Sequence, residues 1–107
     1  MFNISSIYPK QEGGTFDFDY YLNTHMPMSI ELLSGAPGFR GVSVETGIDV
    51  EAAQITSSYF AMCHYYFDKL EDFMAAFTPH AEKLQGDIAN YTNVAPSIEI
   101  SEVRIRR

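Results

Sequence analysis

Cysteine and tryptophan are nearly absent from the sequence: the 107 residues include one cysteine, Cys63, and no tryptophan. A single cysteine excludes an intrachain disulfide framework. Long hydrophobic runs are absent as well, which excludes a membrane-spanning helix, and the N-terminal residues lack the basic and apolar segments of a signal peptide. We therefore expect a cytoplasmic protein that does not associate with membranes.

Basic residues are scarce, with seven Lys and Arg against fourteen Asp and Glu and a formal net charge of −7. Such an acidic chain repels phosphate groups, which argues against nucleic acid as a partner. The three histidines and the cysteine show no metal-ligand spacing, and the glycines form no dinucleotide-binding fingerprint. We expect neither a bound metal nor an organic cofactor.

Aromatic residues are abundant, since eight Phe and seven Tyr make up 14% of the chain. A chain of this length folds as one domain, residues 1–107. So small a domain has difficulty burying this much aromatic surface alone, so some of it should line a ligand cavity or a subunit interface. A core that is simply rich in phenylalanine is the alternative.

The spacing of apolar residues predicts six elements, because alternation indicates strands and intervals of three and four indicate helices. They are strand, helix, two strands, helix and strand, at residues 2–8, 18–33, 39–48, 58–67, 68–89 and 97–105. Asp17 is the expected N-cap of the first helix, and Asp68 with Glu71 resembles a capping box for the second. Thr78, which precedes Pro79, should cap a further helical segment.

The order β-α-β-β-α-β predicts an α+β fold of the ferredoxin-like type. In this fold a four-stranded antiparallel sheet carries both helices on one face. The strand at residues 58–67 is apolar on both faces, so both faces should be covered. The two helices can cover only one face, and we therefore expect a homodimer in which a second subunit covers the other.

The first helix places a histidine on its expected buried face, together with three other residues: Phe18, Leu22, His25 and Ser29. Pro27 lacks an N–H group, so the carbonyl of Asn23 loses its helical partner and the helix should bend or restart there. A bend beside an inward imidazole makes room for a cavity between helix and sheet. Alternatively, His25 donates a hydrogen bond to a local carbonyl and has only a structural role.

The other two histidines fall at different places. His80 lies at the edge of the apolar face of the second helix, where it could point towards His25 or remain half-exposed. His64 alternates with Cys63 and Tyr65 along the third strand, so it should face away from the helices, towards the expected dimer interface. Cys63 is expected to be an inert buried thiol.

Three segments resemble the EthD family of the dimeric α+β barrel superfamily: "FDFDYYLNTHMPM", "FDKLEDF" and "DIANYTNVAPSIEISEV". The Tyr-x-x-x-His-x-Pro motif at residues 21–27 and the run from Tyr91 to Pro96 are the most specific parts. The resemblance implies a ferredoxin-like protomer whose sheet pairs with that of a second subunit as a dimeric barrel. It implies little chemistry, since relatives in the superfamily include cofactor-free monooxygenases, polyketide cyclases, lactone isomerases and haem-binding enzymes.

Two hypotheses follow for the function. In the first, the helix–sheet cavity binds an apolar or aromatic small molecule and transforms it by cofactor-free acid–base chemistry. In the second, the protein is a non-catalytic dimeric binding or accessory protein, and haem binding is a third, weaker alternative. The candidate catalytic residues are His25, His80 and Tyr65, and the candidate substrate-binding residues are Phe18, Leu22, Ser29, Phe73, Phe77 and Tyr91.

Overall fold

The computed structural model describes all residues 1–107 and contains one four-stranded antiparallel sheet. Its strands are β1 (Phe2–Pro9), β2 (Phe39–Thr46), β3 (Tyr59–Phe67) and β4 (Ser97–Glu102). They lie in the order β2-β3-β1-β4, so the first and third strands are central. The predicted ferredoxin-like α+β fold is confirmed.

The last strand ends three residues earlier than the sequence pattern indicates. Glu102 of β4 pairs with Phe2, the first residue of β1. Beyond this pair the one backbone hydrogen bond runs from the Val103 N–H to the carbonyl of Met1, at 2.9 Å. The alternation of apolar and polar residues therefore continues to Ile105 in the sequence. The hydrogen-bonded pairing of β4 stops earlier, because its partner strand β1 begins at Phe2.

Both helical regions are interrupted. The first, residues 18–33, consists of α1 (Phe18–Tyr20), a π-helical turn (Tyr21–His25) and α2 (Met26–Leu33). The second, residues 70–90, consists of α3 (Leu70–Phe77), a 3₁₀ turn (Thr78–His80), α4 (Ala81–Gly86) and a further 3₁₀ turn (Ile88–Asn90). No helix has both the length and the apolar character needed to cross a bilayer.

One of the three predicted helix caps is present. The side chain of Asp17 accepts a hydrogen bond from the N–H of Tyr20 at 3.1 Å, as expected. The prediction for Asp68 was wrong, because its carboxylate instead pairs with the guanidinium of Arg40 at 2.7 and 2.8 Å. Thr78 is not a cap either: its backbone is already helical, and its hydroxyl donates to the carbonyl of Met74 at 2.7 Å.

The two helical regions cover the same face of the sheet. The core lies between these helices and the sheet. On β3 this buried face consists of Ala61, Cys63, Tyr65 and Phe67. On the first helical region it consists of Tyr21, His25, Met26, Ser29 and Leu33. Tyr21 and Phe67 are almost inaccessible to solvent, so large aromatic rings fill the space between the layers.

The helices leave the edge strand β4 uncovered. Ile98 and Ile100 pair with Ser6 and Ile4 of β1 and therefore point to the helical side of the sheet. They are nevertheless 58% and 54% exposed. An apolar strip on the helical side thus remains open to solvent next to the core.

Candidate functional site

A cavity of about 540 Å³ lies between the helical regions and the sheet. The sheet contributes Ile4, Ser6, Tyr8, Cys63 and Tyr65 to its wall, and the helices contribute His25, Ser29, Phe73, Phe77 and Leu84 among others. Most lining residues are hydrophobic, and none is Lys, Arg, Asp or Glu. The cavity opens beside β4, where Met74, Ile98 and Ile100 are each about half-exposed. An uncharged, apolar molecule suits such a wall.

The π-helical turn brings His25 to the cavity wall. Pro27 cannot donate to the carbonyl of Asn23, and the helix adapts without breaking: the N–H of Met26 donates to the carbonyl of Tyr21, five residues earlier. Such widened turns recur at functional sites. The expected interruption is therefore real, although it takes the form of a π turn rather than a bend or a restart.

Asp87 holds the imidazole of His25. Its Oδ2 lies 2.9 Å from Nδ1 of His25, and its Oδ1 accepts hydrogen bonds from the Tyr20 hydroxyl at 2.7 Å and the Asn90 amide at 2.9 Å. Burial raises the pKa of the Asp87 carboxyl, but these hydrogen bonds outweigh that effect, and the pKa lies below its ordinary value. Because Asp87 is ionised at neutral pH, Nδ1 of His25 carries a proton, and in the neutral form of the imidazole Nε2 then presents a lone pair.

Two tyrosine hydroxyls extend this chain of hydrogen bonds. The hydroxyl of Tyr91 lies 3.5 Å from Nε2 of His25 and 2.5 Å from the hydroxyl of Tyr8. Tyr8 and His25 line the cavity, whereas Tyr91 lies behind them. The loop that carries Tyr91 is fixed by a bridge between Phe16 and Thr92 and by the N–H of Asp17, which donates to the Tyr91 carbonyl at 2.7 Å.

A second polar pair lies in the cavity wall, formed by the hydroxyls of Ser29 and Tyr65 at a distance of 2.6 Å. Burial raises the pKa of both Tyr65 and Tyr8 above the ordinary tyrosine value. Burial likewise raises the pKa of the Cys63 thiol to about 12, so this cysteine is protonated and is a poor nucleophile. The sheet side of the cavity therefore favours uncharged groups.

The structure places the predicted site residues in three groups. His25, Ser29, Tyr65, Phe73 and Phe77 line the cavity. Tyr91 does not line it, but its hydroxyl contacts the side chains of two residues that do, Tyr8 and His25. Three predicted residues lie outside it: Phe18, Leu22 and His80.

Phe18 and Leu22 were placed on the wrong face of the helix. They are 38% and 42% exposed, while the buried stripe starts at Tyr21 and continues through His25. Two stripes at helical spacing pass through His25 and Ser29, and the spacing alone does not choose between them. The ring of Tyr21 decides the choice, because it packs edge-on against those of Tyr8 and Phe16.

His80 is half-buried at the end of the 3₁₀ turn that follows α3, and it does not reach the cavity or His25. The turn begins where Pro79 removes a backbone donor, and it moves His80 off the stripe of Phe73 and Phe77. Of the two placements that the sequence left open for His80, the structure therefore has the half-exposed one and not the one that points towards His25.

Asp87, Tyr8 and Tyr20 were missed from the sequence. Asp87 follows Gly86, the last residue of α4. It is the only acidic residue among the side chains that are hydrogen-bonded in series with His25. A carboxylate that orients a histidine is a common arrangement, but 62 residues separate these two. Only the packing of the two helical regions brings them together.

His64 faces away from the helices, as predicted. Its Nδ1 lies 2.8 Å from the Ser5 hydroxyl and 3.2 Å from the Asn3 amide, and its Nε2 lies 2.9 Å from Glu45. This polar cluster occupies the face of the sheet opposite to the cavity. No group of three or more His, Cys, Asp and Glu side chains is arranged to bind a metal ion anywhere in the structure.

A family model described as the EthD domain matches residues 15–95. The chain belongs to the EthD family. The match includes His25 and Asp87, so both members of the pair lie within the EthD domain, whereas Tyr8 precedes the matched region. None of the curated proteins compared with the chain matches it.

Solved structures show the same fold. An EthD-like protein from Ralstonia eutropha JMP134 is 39% identical, with a TM-score of 0.87 over 99% of this chain and 94% of that one. An ethyl tert-butyl ether D (EthD) family protein from Bacillus halodurans C-125 is 22% identical, with a TM-score of 0.71 over 96% and 98%. A protein from Shewanella loihica PV-4, provisionally assigned as a monooxygenase, is 15% identical, with a TM-score of 0.58 over 98% and 96%. The last two likenesses concern the fold alone.

Proposed function

We propose that the cavity binds an apolar, aromatic small molecule and that His25 exchanges a proton with it without an organic cofactor. One observation carries the proposal: His25 lines an apolar cavity while Asp87 binds its Nδ1 at 2.9 Å. A neutral imidazole held through one nitrogen is a general base through the other. The carboxylate also stabilises the imidazolium that forms when His25 accepts a proton.

The proton is taken from a phenol or from a carbon beside a carbonyl. Either step starts cyclisation, isomerisation or cofactor-free oxygenation, and the fold of the Shewanella protein, provisionally assigned as a monooxygenase, is compatible with this group of reactions. General acid–base catalysis by one residue contributes about 10²–10⁴-fold in rate. The apolar wall excludes water around the reacting atoms and strengthens the electrostatic effect of the His25–Asp87 pair.

Binding is tested with naphthalene and two tryptophan variants. The protein has no tryptophan, so Met74→Trp places the only indole at the cavity opening. Ala75→Trp places it on an exposed neighbouring position that does not line the cavity. Naphthalene should change the indole emission of Met74→Trp in a saturable way and leave that of Ala75→Trp unchanged. Equal responses would contradict binding in the cavity.

Proton exchange is tested with 2-tetralone, an uncharged aromatic ketone with acidic hydrogens beside its carbonyl. The wild-type protein should accelerate their exchange with deuterium in D₂O, followed by NMR. His25→Asn should lower this rate by about 10²–10⁴-fold. His64→Asn is the matched control, because His64 lies on the opposite face of the sheet and should not affect exchange.

A purely structural role for His25 also has a supporting observation. The same exchange assay distinguishes this structural role from the catalytic one. Both imidazole nitrogens have neighbours, since the Tyr91 hydroxyl lies 3.5 Å from Nε2. If 2-tetralone binds but exchanges no faster with wild-type protein than with His25→Asn, the protein binds small molecules without transforming them. His25→Asn should lose no more than about 1–2 kcal/mol of stability, because Asn can keep one hydrogen bond to Asp87.

We also propose that two copies of the chain pair through the face of the sheet opposite to the helices. No helix or strand of the chain covers this face, which carries the half-buried Ile7, Met62 and Tyr66 beside the His64 cluster. The guanidinium of Arg106 lies over the Tyr66 ring, 4.5 Å from its centroid. Sheet-to-sheet pairing would bury these side chains and would leave the cavity in each subunit intact. An obligate interface of this kind buries on the order of 2,000 Å² or more in total.

A further inference from the structure

The chain of hydrogen bonds from Asp87 to Tyr8 has a direction, which Asp87 sets. Nδ1 of His25 donates to the carboxylate, so Nε2 of the neutral imidazole is an acceptor, and the Tyr91 hydroxyl lies 3.5 Å from it. Once Tyr91 donates to Nε2, its oxygen accepts the proton of Tyr8 across 2.5 Å. The opposite direction would leave Nε2 without a donor in a buried site.

This direction leaves one kind of group free at the cavity end of the chain. The proton of the Tyr8 hydroxyl is engaged with Tyr91, so what Tyr8 retains is a lone pair. Tyr8 lines the cavity and Tyr91 does not, which makes the Tyr8 oxygen the terminus of the chain. At the Tyr8 oxygen the cavity therefore presents an acceptor, which matches a ligand that donates a hydrogen bond, whereas the Tyr21 hydroxyl, which also lines the cavity, has no partner in the protein.

We propose that Tyr8 is a catalytic residue that accepts a hydrogen bond from a hydroxyl of the ligand and relays its proton through Tyr91 to His25. A ligand that carries a hydroxyl, such as a phenol or an enol, is then bound more tightly than a molecule that presents only carbonyl or ether oxygens. This inference rests on the proposed function, because it requires a ligand in the cavity and His25 as the final base.

The proton relay conserves atoms and charge. The ligand O–H bond breaks, and its proton passes to the Tyr8 oxygen while the proton of Tyr8 passes to Tyr91. The proton of Tyr91 passes to Nε2 of His25. The ligand keeps the electron pair as a phenolate or enolate, to which Tyr8 now donates. His25 becomes an imidazolium beside the carboxylate of Asp87, and no oxidant or reductant takes part.

The test compares two ligands that share a ring system and differ in whether their oxygen can donate a hydrogen bond. 2-Naphthol donates a hydrogen bond, whereas 2-methoxynaphthalene has the same ring system and only accepts. Their fluorescence is easily followed because the protein has no tryptophan. Wild-type protein should bind 2-naphthol roughly three- to tenfold more tightly, the range expected for one neutral hydrogen bond.

Two variants test whether the preference for 2-naphthol comes from the hydrogen bonds between Tyr8, Tyr91 and His25. Tyr8→Phe removes the acceptor and should abolish the preference. Tyr91→Phe frees the Tyr8 proton to donate to an ether, so the preference should fall because 2-methoxynaphthalene binds better; this variant decides the matter if Tyr8→Phe does not fold. Tyr66→Phe, on the opposite face of the sheet, should keep the wild-type preference.

The outcomes separate this inference from the function on which it rests. Equal affinities in wild-type protein, or an unchanged preference in Tyr8→Phe, would overturn the role of Tyr8 while leaving the cavity as a binding site. Failure of both ligands to bind the wild-type protein would overturn the proposed function, and the relay with it.

Discussion

His25 and Asp87 are 62 residues apart in the sequence, and Nδ1 of the one lies 2.9 Å from Oδ2 of the other. The histidine lies at the end of the π turn of the first helical region, and the aspartate lies just after α4 of the second. Their contact joins the two helical regions at the cavity wall. It also fixes which imidazole nitrogen carries the proton, and hence the direction of the hydrogen bonds that continue to Tyr91 and Tyr8.

The pH dependence of stability should reveal this contact. The pKa of Asp87 is lower in the folded chain than its ordinary value of 3.8, so the unfolded chain binds the proton more tightly. The stabilisation is therefore complete above the ordinary pKa and is lost as pH falls through the folded pKa. Asp87→Asn should lose about 1–3 kcal/mol at neutral pH and show a shallower decrease in acid, measured by denaturant unfolding.

Asp68→Asn provides the control for this measurement. Hydrogen bonding to Arg40 also lowers the pKa of Asp68, but this pair is exposed to solvent and is screened by salt. The effect of Asp68→Asn should therefore shrink at high ionic strength, whereas that of Asp87→Asn should persist. An acid profile of Asp87→Asn that runs parallel to the wild-type profile would show that the pair contributes nothing to folding.

The self-association proposed for the opposite face of the sheet predicts a monomeric variant. Met62 lies on that face, in register with Glu45 of β2. Met62→Glu would place a second carboxylate there, at a position that pairing would bury, and a buried unpaired charge is costly. We expect wild-type protein to sediment as a dimer at micromolar concentration and Met62→Glu as a folded monomer.

Ala75→Glu is the matched control for Met62→Glu, because Ala75 lies on the exposed side of α3. This variant should remain a dimer with the wild-type sedimentation coefficient. A wild-type protein that is already monomeric at this concentration would refute the self-association.

The fold could be predicted from the sequence because its signals are local. Alternation along β3 and the turn residues after the first helix each act over a few residues, and the structure follows them. The face of the first helix was harder to predict, since Leu22 and Tyr21 both lie at helical spacing from His25 and only tertiary packing of the Tyr21 ring separates them.

The site depends on contacts that no local pattern encodes. Asp87 meets His25 only because α4 ends beside the π turn, and Tyr8 joins them from the opposite layer. The cap predicted at Asp68 failed for a related reason. Its carboxylate had two partners available, and the guanidinium of Arg40, from β2, binds it in the folded chain.

The π turn yields the last prediction, since it ties the sequence position of Pro27 to the geometry of the site. Pro27→Ala supplies the N–H that the Asn23 carbonyl lacks and so favours an ordinary α-helical turn. Stability should change by no more than about 1 kcal/mol, because the gain of a hydrogen bond offsets the greater freedom of the unfolded chain.

The tighter turn should rotate His25 relative to Asp87, and a misplacement of about 1 Å can reduce a rate by about 10²-fold. Deuterium exchange of 2-tetralone should therefore slow strongly in Pro27→Ala while the variant remains folded. Pro79→Ala is the control: Pro79 lies within the 3₁₀ turn outside the cavity, so this substitution should leave the rate unchanged. A wild-type rate in Pro27→Ala would mean that the π turn is not needed to position His25.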